Sequence, residues 1–446
     1  MLKKDQSSSH IKHILQPSKI NETKGYNNNS FSDNNHMNSK IAKRKSDPQI
    51  IFNNDDNNDI NKSLKRFHSI SQSSLKSRDS LNEIRMIYDY YQYNRSKIRK
   101  EDDLSTIVDK YGFVISDDKK FKVIPIKDKK QHDKKDGSRS LKWVHWVSDS
   151  KIVSRSGNFG ISSYKLPWNS KLFKRIFKGI PDSWRSPIWY YLITNGSTDP
   201  DFDDNLIKYY KDLLKLPSTH ERQIDLDIPR TLHSHIMFRT RYGPGQKALF
   251  NVLRAFSIYD EQVGYCQGMA NIVTILLMYY VEEYAFIMLT KLFAKCNLHD
   301  LYIPGFPALM ESFYVQEKLM SIHSHKILNH FTNLQISSTA YATRWYITLF
   351  SSEVVPHHTL LRIWDLLMLY GFDILYFVAI ALLKYNESIL LSSDFDRALT
   401  MLSSSININD DNKLIKKIRK MYNKKGRQKL ISTFKEEYRN QSHITI

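Results

Sequence analysis

Two short stretches hold side chains that could act together on a reacting group. The first is Ile224-Asp-Leu-Asp227-Ile-Pro229-Arg230-Thr231. Asp227 has the side chain of a helix N-cap, and Pro229 is tolerated in a first helical turn. Arg230 is thereby expected near a helix start. A cation there meets the positive end of the helix dipole and is disfavoured unless an anion is to be bound. Thirty-seven residues further on stands Gln267, within Gly264-Tyr-Cys-Gln267-Gly268-Met269. Its amide can both donate to and accept from a water, and Gly268 leaves room for close approach. Taken singly, each residue has a plainer reading. Arg230 would be a solvated surface arginine, and Gln267 would cap or bridge helices in the core.

Other constellations lack their required context. Gly243-Pro-Gly245-Gln-Lys247-Ala248 has the outline of a dinucleotide loop, but no strand precedes it and no βαβ unit surrounds it. Lys247 follows Gln, so it forms no P-loop. The pairs His233/His235 and His323/His325 have no Cys or carboxylate at ligand spacing and read as exposed helix histidines. Two cysteines, Cys266 and Cys296, support neither a disulfide framework nor a zinc site, and imply a reducing compartment.

The elements that must position Arg230 and Gln267 lie in the middle of the chain. The formal charge is +20. Residues 1–165 carry 33 basic against 20 acidic side chains, residues 401–446 carry 11 against 4, and residues 166–400 carry 22 of each. The neutral middle excludes a nucleic-acid-binding core, which needs its cationic stripe on the folded domain. The basic flanks leave contact with anionic lipid open. Residues 1–80 are rich in Asn, Ser and Lys, bury too little apolar surface to offset ordering, and read as disordered. Residues 81–165 read as a partly ordered extension, with an aromatic helix over Leu81–Arg99 and a strand-like piece at Phe121–Ile126. Trp143 and Trp146, with Val144 and Val147, are expected to pack on the domain behind them.

From 166 to 400 the apolar residues recur at helical period, as in Leu249, Val252, Leu253 and Phe256. Gly and Pro mark the joins, and no hairpin signal appears. This predicts an all-α domain. The runs Met269–Tyr280 and Ile374–Leu383 are too short to span a bilayer and read as buried helices in a soluble, cytoplasmic protein. Residues 401–446 hold a basic amphipathic helix with Leu414, Ile415, Ile418, Met421 and Tyr422 on its apolar side. It either caps the domain or touches a membrane surface or partner.

Together, the two stretches resemble, in order and spacing, the paired signatures of the TBC family of Rab GTPase-activating proteins. Gly179-Ile-Pro181…Arg185…Trp189 looks like that family's opening motif. Leu301-Tyr-Ile-Pro-Gly305-Phe306, Tyr341-Ala-Thr-Arg-Trp345 and Leu361-Arg362-Ile-Trp-Asp365 are similar to its later segments. The chain resembles fungal members with long polar N-terminal extensions. One departure is Ser186-Pro187, where the family has Gly after the Arg; Pro187 is expected to open a new helix with Ser186 as its cap.

The resemblance implies a two-lobed, right-handed array of helices that activates a GTP-bound Rab. Arg230 would be an arginine finger on the phosphates, and Gln267 would orient the attacking water in trans. Ile224, Asp227, Tyr265 and Gly268 would support them. Gly179, Pro181, Arg185, Trp189, Arg362 and Asp365 would stabilise the fold. The protein would hold no cofactor, since GTP and Mg²⁺ come with the partner, and would be an activator rather than an enzyme in its own right. Two rival readings stay open: a catalytically silent Rab-binding scaffold or effector, and a mitotic-checkpoint-type activator of a non-Rab GTPase.

Overall fold

The computed structural model describes residues 78–93, 108–115, 136–146, 152–155, 162–164, 166–197, 200–424 and 426–444. The reading of 1–80 as disordered lies outside these residues up to 77, as does the strand-like piece at 121–126. Residues 78–80 instead begin the first described helix, α1 (Arg78–Tyr93). The rest of the helix expected over Leu81–Arg99, residues 94–99, lies outside the described residues.

Helix α2 covers 136–146, and a short antiparallel pair follows, β1 (Ile152–Arg155) with β2 (Ser162–Tyr164). This strand pair is a small addition among described residues that are otherwise mainly helical. Trp143 and Trp146 are buried as expected, whereas Val144 is exposed. Val147 lies outside the described residues.

The helical domain opens with α3 (Ser170–Lys178), capped by Asn169, whose Oδ1 accepts from the amides of Lys171 at 2.9 Å and Leu172 at 3.2 Å. The next helices are α4 (Arg185–Ile193), α5 (Pro200–Leu213), α6 (Glu221–Asp227), α7 (Pro244–Tyr259), α8 (Met269–Leu277) and α9 (Glu282–Cys296). Helix α7 packs against α5, α6, α8 and α9, making the centre of the first lobe. Its buried face holds Leu249, Val252, Leu253 and Phe256, the period read in the sequence.

The second lobe is built from α10 (Pro307–His323), α11 (His325–Asn333), α12 (Ser338–Ile347), α13 (His357–Tyr370), α14 (Ile374–Tyr385), α15 (Phe395–Ser403), α16 (Asp411–Tyr422) and α17 (Arg427–Ile444). Residues Ile374 to Leu383 are all buried, so this apolar run is a core helix. Among the described residues no helix is long and apolar enough to cross a membrane.

Helix α16 buries Leu414, Ile415, Ile418, Met421 and Tyr422 against the domain and packs on α14, α13 and α3. Of its two readings, the domain cap is the one observed.

Helices α4 and α13 join the lobes through a buried polar knot. Asp365 Oδ1 accepts from Arg185 Nε at 3.2 Å and from Trp189 Nε1 at 2.9 Å, and its Oδ2 accepts from the Ile180 amide at 3.3 Å. Arg185 also donates to Asp182 at 2.6 Å. Burial alone would lower the Arg185 pKa. The Asp365 carboxylate first, with the Tyr279 phenol and the Asp182 carboxylate beside it, outweighs that and leaves it raised, so the guanidinium stays charged. Arg362 donates to the Phe177 carbonyl at 2.8 Å. Gly179 has φ of +109°, and a Cβ there would stand 3.0 Å from Arg362 Nε. Pro181 precedes the 3-10 turn Asp182–Trp184. The six motif residues assigned to the fold thus lie at one junction.

The start of α4 differs from expectation. The helix begins at Arg185, so Ser186 is its second residue rather than its cap. Pro187 falls in the first turn, where a missing amide hydrogen breaks no helical bond. The Ser186 carbonyl accepts from the Tyr280 hydroxyl at 2.7 Å.

Candidate functional site

Helix α6 is short, and Ile224 is fully buried on its inner face. Its last residue is Asp227, followed by the 3-10 turn Ile228–Arg230 with Pro229 inside it. The expected helix start is therefore a helix end. Asp227 caps no backbone amide with its side chain. Arg230 lies at the carbonyl end of these consecutive turns, where a cation is favoured. The Thr231 hydroxyl closes the turn by donating to the Asp227 carbonyl at 2.8 Å.

The Asp227 carboxylate is buried, its side chain 4% exposed, and each oxygen is engaged. Oδ1 accepts from the Arg230 guanidinium and, at 3.2 Å, from Gln223 Nε2. Oδ2 accepts from the Tyr265 hydroxyl at 2.7 Å. Burial first, then this hydrogen bond and the Asp227 charge, push the Tyr265 phenol pKa up, so it remains a donor.

Tyr265 leads directly into the second stretch. The Met269 amide donates to the Cys266 carbonyl at 3.1 Å, and Gly268, with φ of +108°, precedes α8. A Cβ at Gly268 would lie 2.7 Å from Cγ2 of Ile347 on α12, so only glycine lets the loop sit this close to the second lobe. Tyr302 donates to the Ile347 carbonyl on the same strip. Cys266 is half-buried, and burial followed by the Asp227 charge pushes its thiol up to about 11. It is therefore a poor nucleophile.

The two candidate residues point outward. The Arg230 side chain is 59% exposed, with Asp227 as its ion-pair partner. Gln267 is exposed, and its side-chain amide makes no hydrogen bond among the described residues. Its alternative as a core bridge does not fit this placement. Ile224, Asp227 and Tyr265 are buried beneath, and Gly268 shapes the loop. The arrangement thus offers a planar cation and an amide to an external ligand, from two segments tied through one carboxylate.

Some supporting residues were not found in the sequence. Gln223 precedes Asp227 by one helical turn, and that spacing was its only signal. Helix α1 braces α6 from outside: Arg85 pairs with the buried Glu221, and Tyr88 donates to Asp225 at 3.1 Å. Nothing local in the sequence announces that contact. His235 is also buried rather than an exposed helix histidine. Its Nδ1 accepts from the Met237 amide at 3.2 Å, and its Nε2 lies 2.7 Å from the Tyr111 carbonyl.

Residues 182–391 match the family model described as "Rab-GTPase-TBC domain". A TBC domain-containing protein of Schizosaccharomyces pombe is 37% identical over 316 residues, covering 69% of this chain and 73% of the relative. The GTPase-activating protein GYP5 of Eremothecium gossypii is 34% identical over 271 residues, covering 60% of this chain and 30% of that protein. Among solved structures, the Chlamydomonas flagellar RabGAP TBC domain superimposes with a TM-score of 0.53 at 26% identity, covering 70% of this chain and 99% of that one. The Ypt/Rab-GAP domain of Gyp1p shares the fold with a TM-score of 0.52 at 22% identity, covering 64% of this chain and 97% of that one.

Proposed function

The chain belongs to the Rab-GTPase-TBC domain family, and from that premise we propose that it accelerates GTP hydrolysis by a Rab-family small GTPase in vesicle transport. The observation that carries this reading is the pair of exposed side chains, Arg230 and Gln267, held on segments that share the Asp227 carboxylate. Phosphoryl transfer needs little covalent chemistry from the protein. It needs charge stabilisation and a positioned water. The Arg230 fork enters the GTP-bound partner's site and neutralises charge developing on the phosphate oxygens. Gln267 orients the attacking water with its carbonyl oxygen and amide. GTP and Mg²⁺ are the partner's, and this chain contributes no covalent intermediate. The excess of cations in the flanks suits a cytoplasmic protein in peripheral contact with anionic membrane.

The test is single-turnover hydrolysis on a panel of GTP-loaded Rabs, comparing the chain with Arg230→Ala and Gln267→Ala. An arginine finger contributes ~10³–10⁵ in rate, so Arg230→Ala is expected to lose at least about a thousandfold. Rab binding that persists, with no stimulation by the wild-type chain and indifference to both substitutions, would identify a scaffold instead. Stimulation confined to a non-Rab GTPase would move the substrate to the checkpoint type.

A further inference from the structure

The middle of the chain is neutral by count, yet its first helix is not. Helix α3 reads SKLFKRIFK, with Lys171, Lys174, Arg175 and Lys178 and no acidic residue. One other element, α16, extends this charge, and α2 packs beside it. Arg419 of α16 lies over the Phe177 ring at 4.9 Å, and α16 also exposes Lys416 and Lys420. Arg175 lies over the Trp146 ring of α2, also at 4.9 Å. Among the described residues no carboxylate pairs with these α3 and α16 cations.

The elements that adjoin α3 carry exposed apolar groups. With Trp143 and Trp146 turned into the domain, α2 leaves Leu141 72% and Val144 50% exposed. Trp168, just before α3, is 42% exposed and packs edge-on to Phe173 with ring centroids 5.8 Å apart. Nucleic acid would match the cations but give Leu141 and Val144 nothing to bury against. An anionic bilayer offers both phosphates and the boundary with the acyl chains, and tryptophan favours that depth.

We propose that the face formed by α3, α16 and the outer side of α2 docks the protein on anionic lipid bilayers. The apolar side of α16 is spent inside the fold, so contact is made by the standing surface rather than by an inserting helix. This inference does not depend on the GTPase reading, because it is tested without any GTPase.

The experiment is co-sedimentation of the full chain with vesicles of phosphatidylcholine alone or mixed with phosphatidylserine. Binding is expected only on the mixed vesicles and weakens with salt. Lys171→Glu/Lys174→Glu/Lys178→Glu is expected to lower the partition coefficient by at least about tenfold. Leu141→Ser/Val144→Ser should lower it several-fold while leaving the salt dependence unchanged. The control Lys208→Glu/Lys211→Glu, on exposed positions of α5, should retain most of the binding. Equal losses in the control and the α3 variant would reduce the effect to net charge and overturn the proposal. So would undiminished binding by the α3 variant, or tighter retention on duplex DNA than on vesicles.

Discussion

The Tyr265 hydroxyl donates to Oδ2 of Asp227 at 2.7 Å, across 38 residues of sequence, while Arg230 holds the other oxygen of the same carboxylate. One buried acid therefore sets where both exposed candidates stand. Replacing Tyr265 by Phe leaves Oδ2 without its donor, at a cost of about 1–3 kcal/mol. Tyr265→Phe and Asp227→Asn are each expected to lower the maximal rate of stimulated GTP hydrolysis about tenfold, with little change in the Rab concentration needed. Because they break one shared unit, the double variant should lose little more than either alone. Additive losses in single-turnover assays would show that the two segments are positioned independently.

Gly268 links the loop that carries Gln267 to the second lobe. Alanine there adds strain of ~1–2 kcal/mol for a left-handed backbone. It also puts a methyl group 2.7 Å from Ile347 Cγ2. Gly268→Ala is expected to lower stability by roughly 1–3 kcal/mol and to cost activity beyond that, because the loop must shift and Gln267 shifts with it. Comparing urea midpoints with stimulated hydrolysis measured well below the transition separates the two effects. Full activity in a destabilised variant would show that Gln267 tolerates the displacement.

Much of this architecture was legible in the sequence because the apolar period of α7 and α13 is local information. The orientation of the Asp227–Arg230 stretch was not. Asp-x-Pro serves equally as a helix start and as a junction from α6 into a 3-10 turn. The choice falls to Tyr265 and α1, which are remote in sequence and bury α6 in place. His235 shows the same limit. Its burial comes from the 108–115 segment, whose Gly112 carbonyl accepts from the Ile236 amide at 2.9 Å. Gln267 is the reverse case, since its exposure between a half-buried Cys266 and a tightly placed Gly268 follows from the loop's own backbone.

Asp365 should be the most sensitive polar position for stability. It is fully buried and takes three donors, one of them the buried Arg185 charge. Asp365→Ala leaves that charge without its main partner, and breaking a buried pair in this way costs about 3–5 kcal/mol. Trp189→Phe removes one donor and should cost about 1–3 kcal/mol. Urea unfolding of both variants checks the ranking, and a smaller loss for Asp365→Ala would mean that water replaces the carboxylate at this junction.

Two histidines give the fold a pH dependence with a definite sign. His235 accepts a backbone amide at Nδ1, so that nitrogen carries no proton, and burial lowers its pKa despite the Tyr111 carbonyl and Asp109. His357 packs edge-on to the Tyr111 ring and tilted against the Phe113 ring, at centroid distances of 5.0 and 4.9 Å. Burial, then the Arg185 guanidinium and the neighbouring His235 and His358 imidazoles, push it down to about 3. In the unfolded chain both titrate near 6.5. Below that value the unfolded state binds protons that the folded state refuses, so stability falls as pH falls. The limiting slope is about 1.4 kcal/mol per pH unit for each histidine kept neutral, and less where solvent reaches the ring. Melting temperatures are therefore expected to drop as pH falls from about 6.5 towards about 3. His357→Phe, which keeps an aromatic ring against Tyr111 and Phe113, should flatten that drop. An unchanged pH profile in this variant would place the sensitivity at His235 or elsewhere.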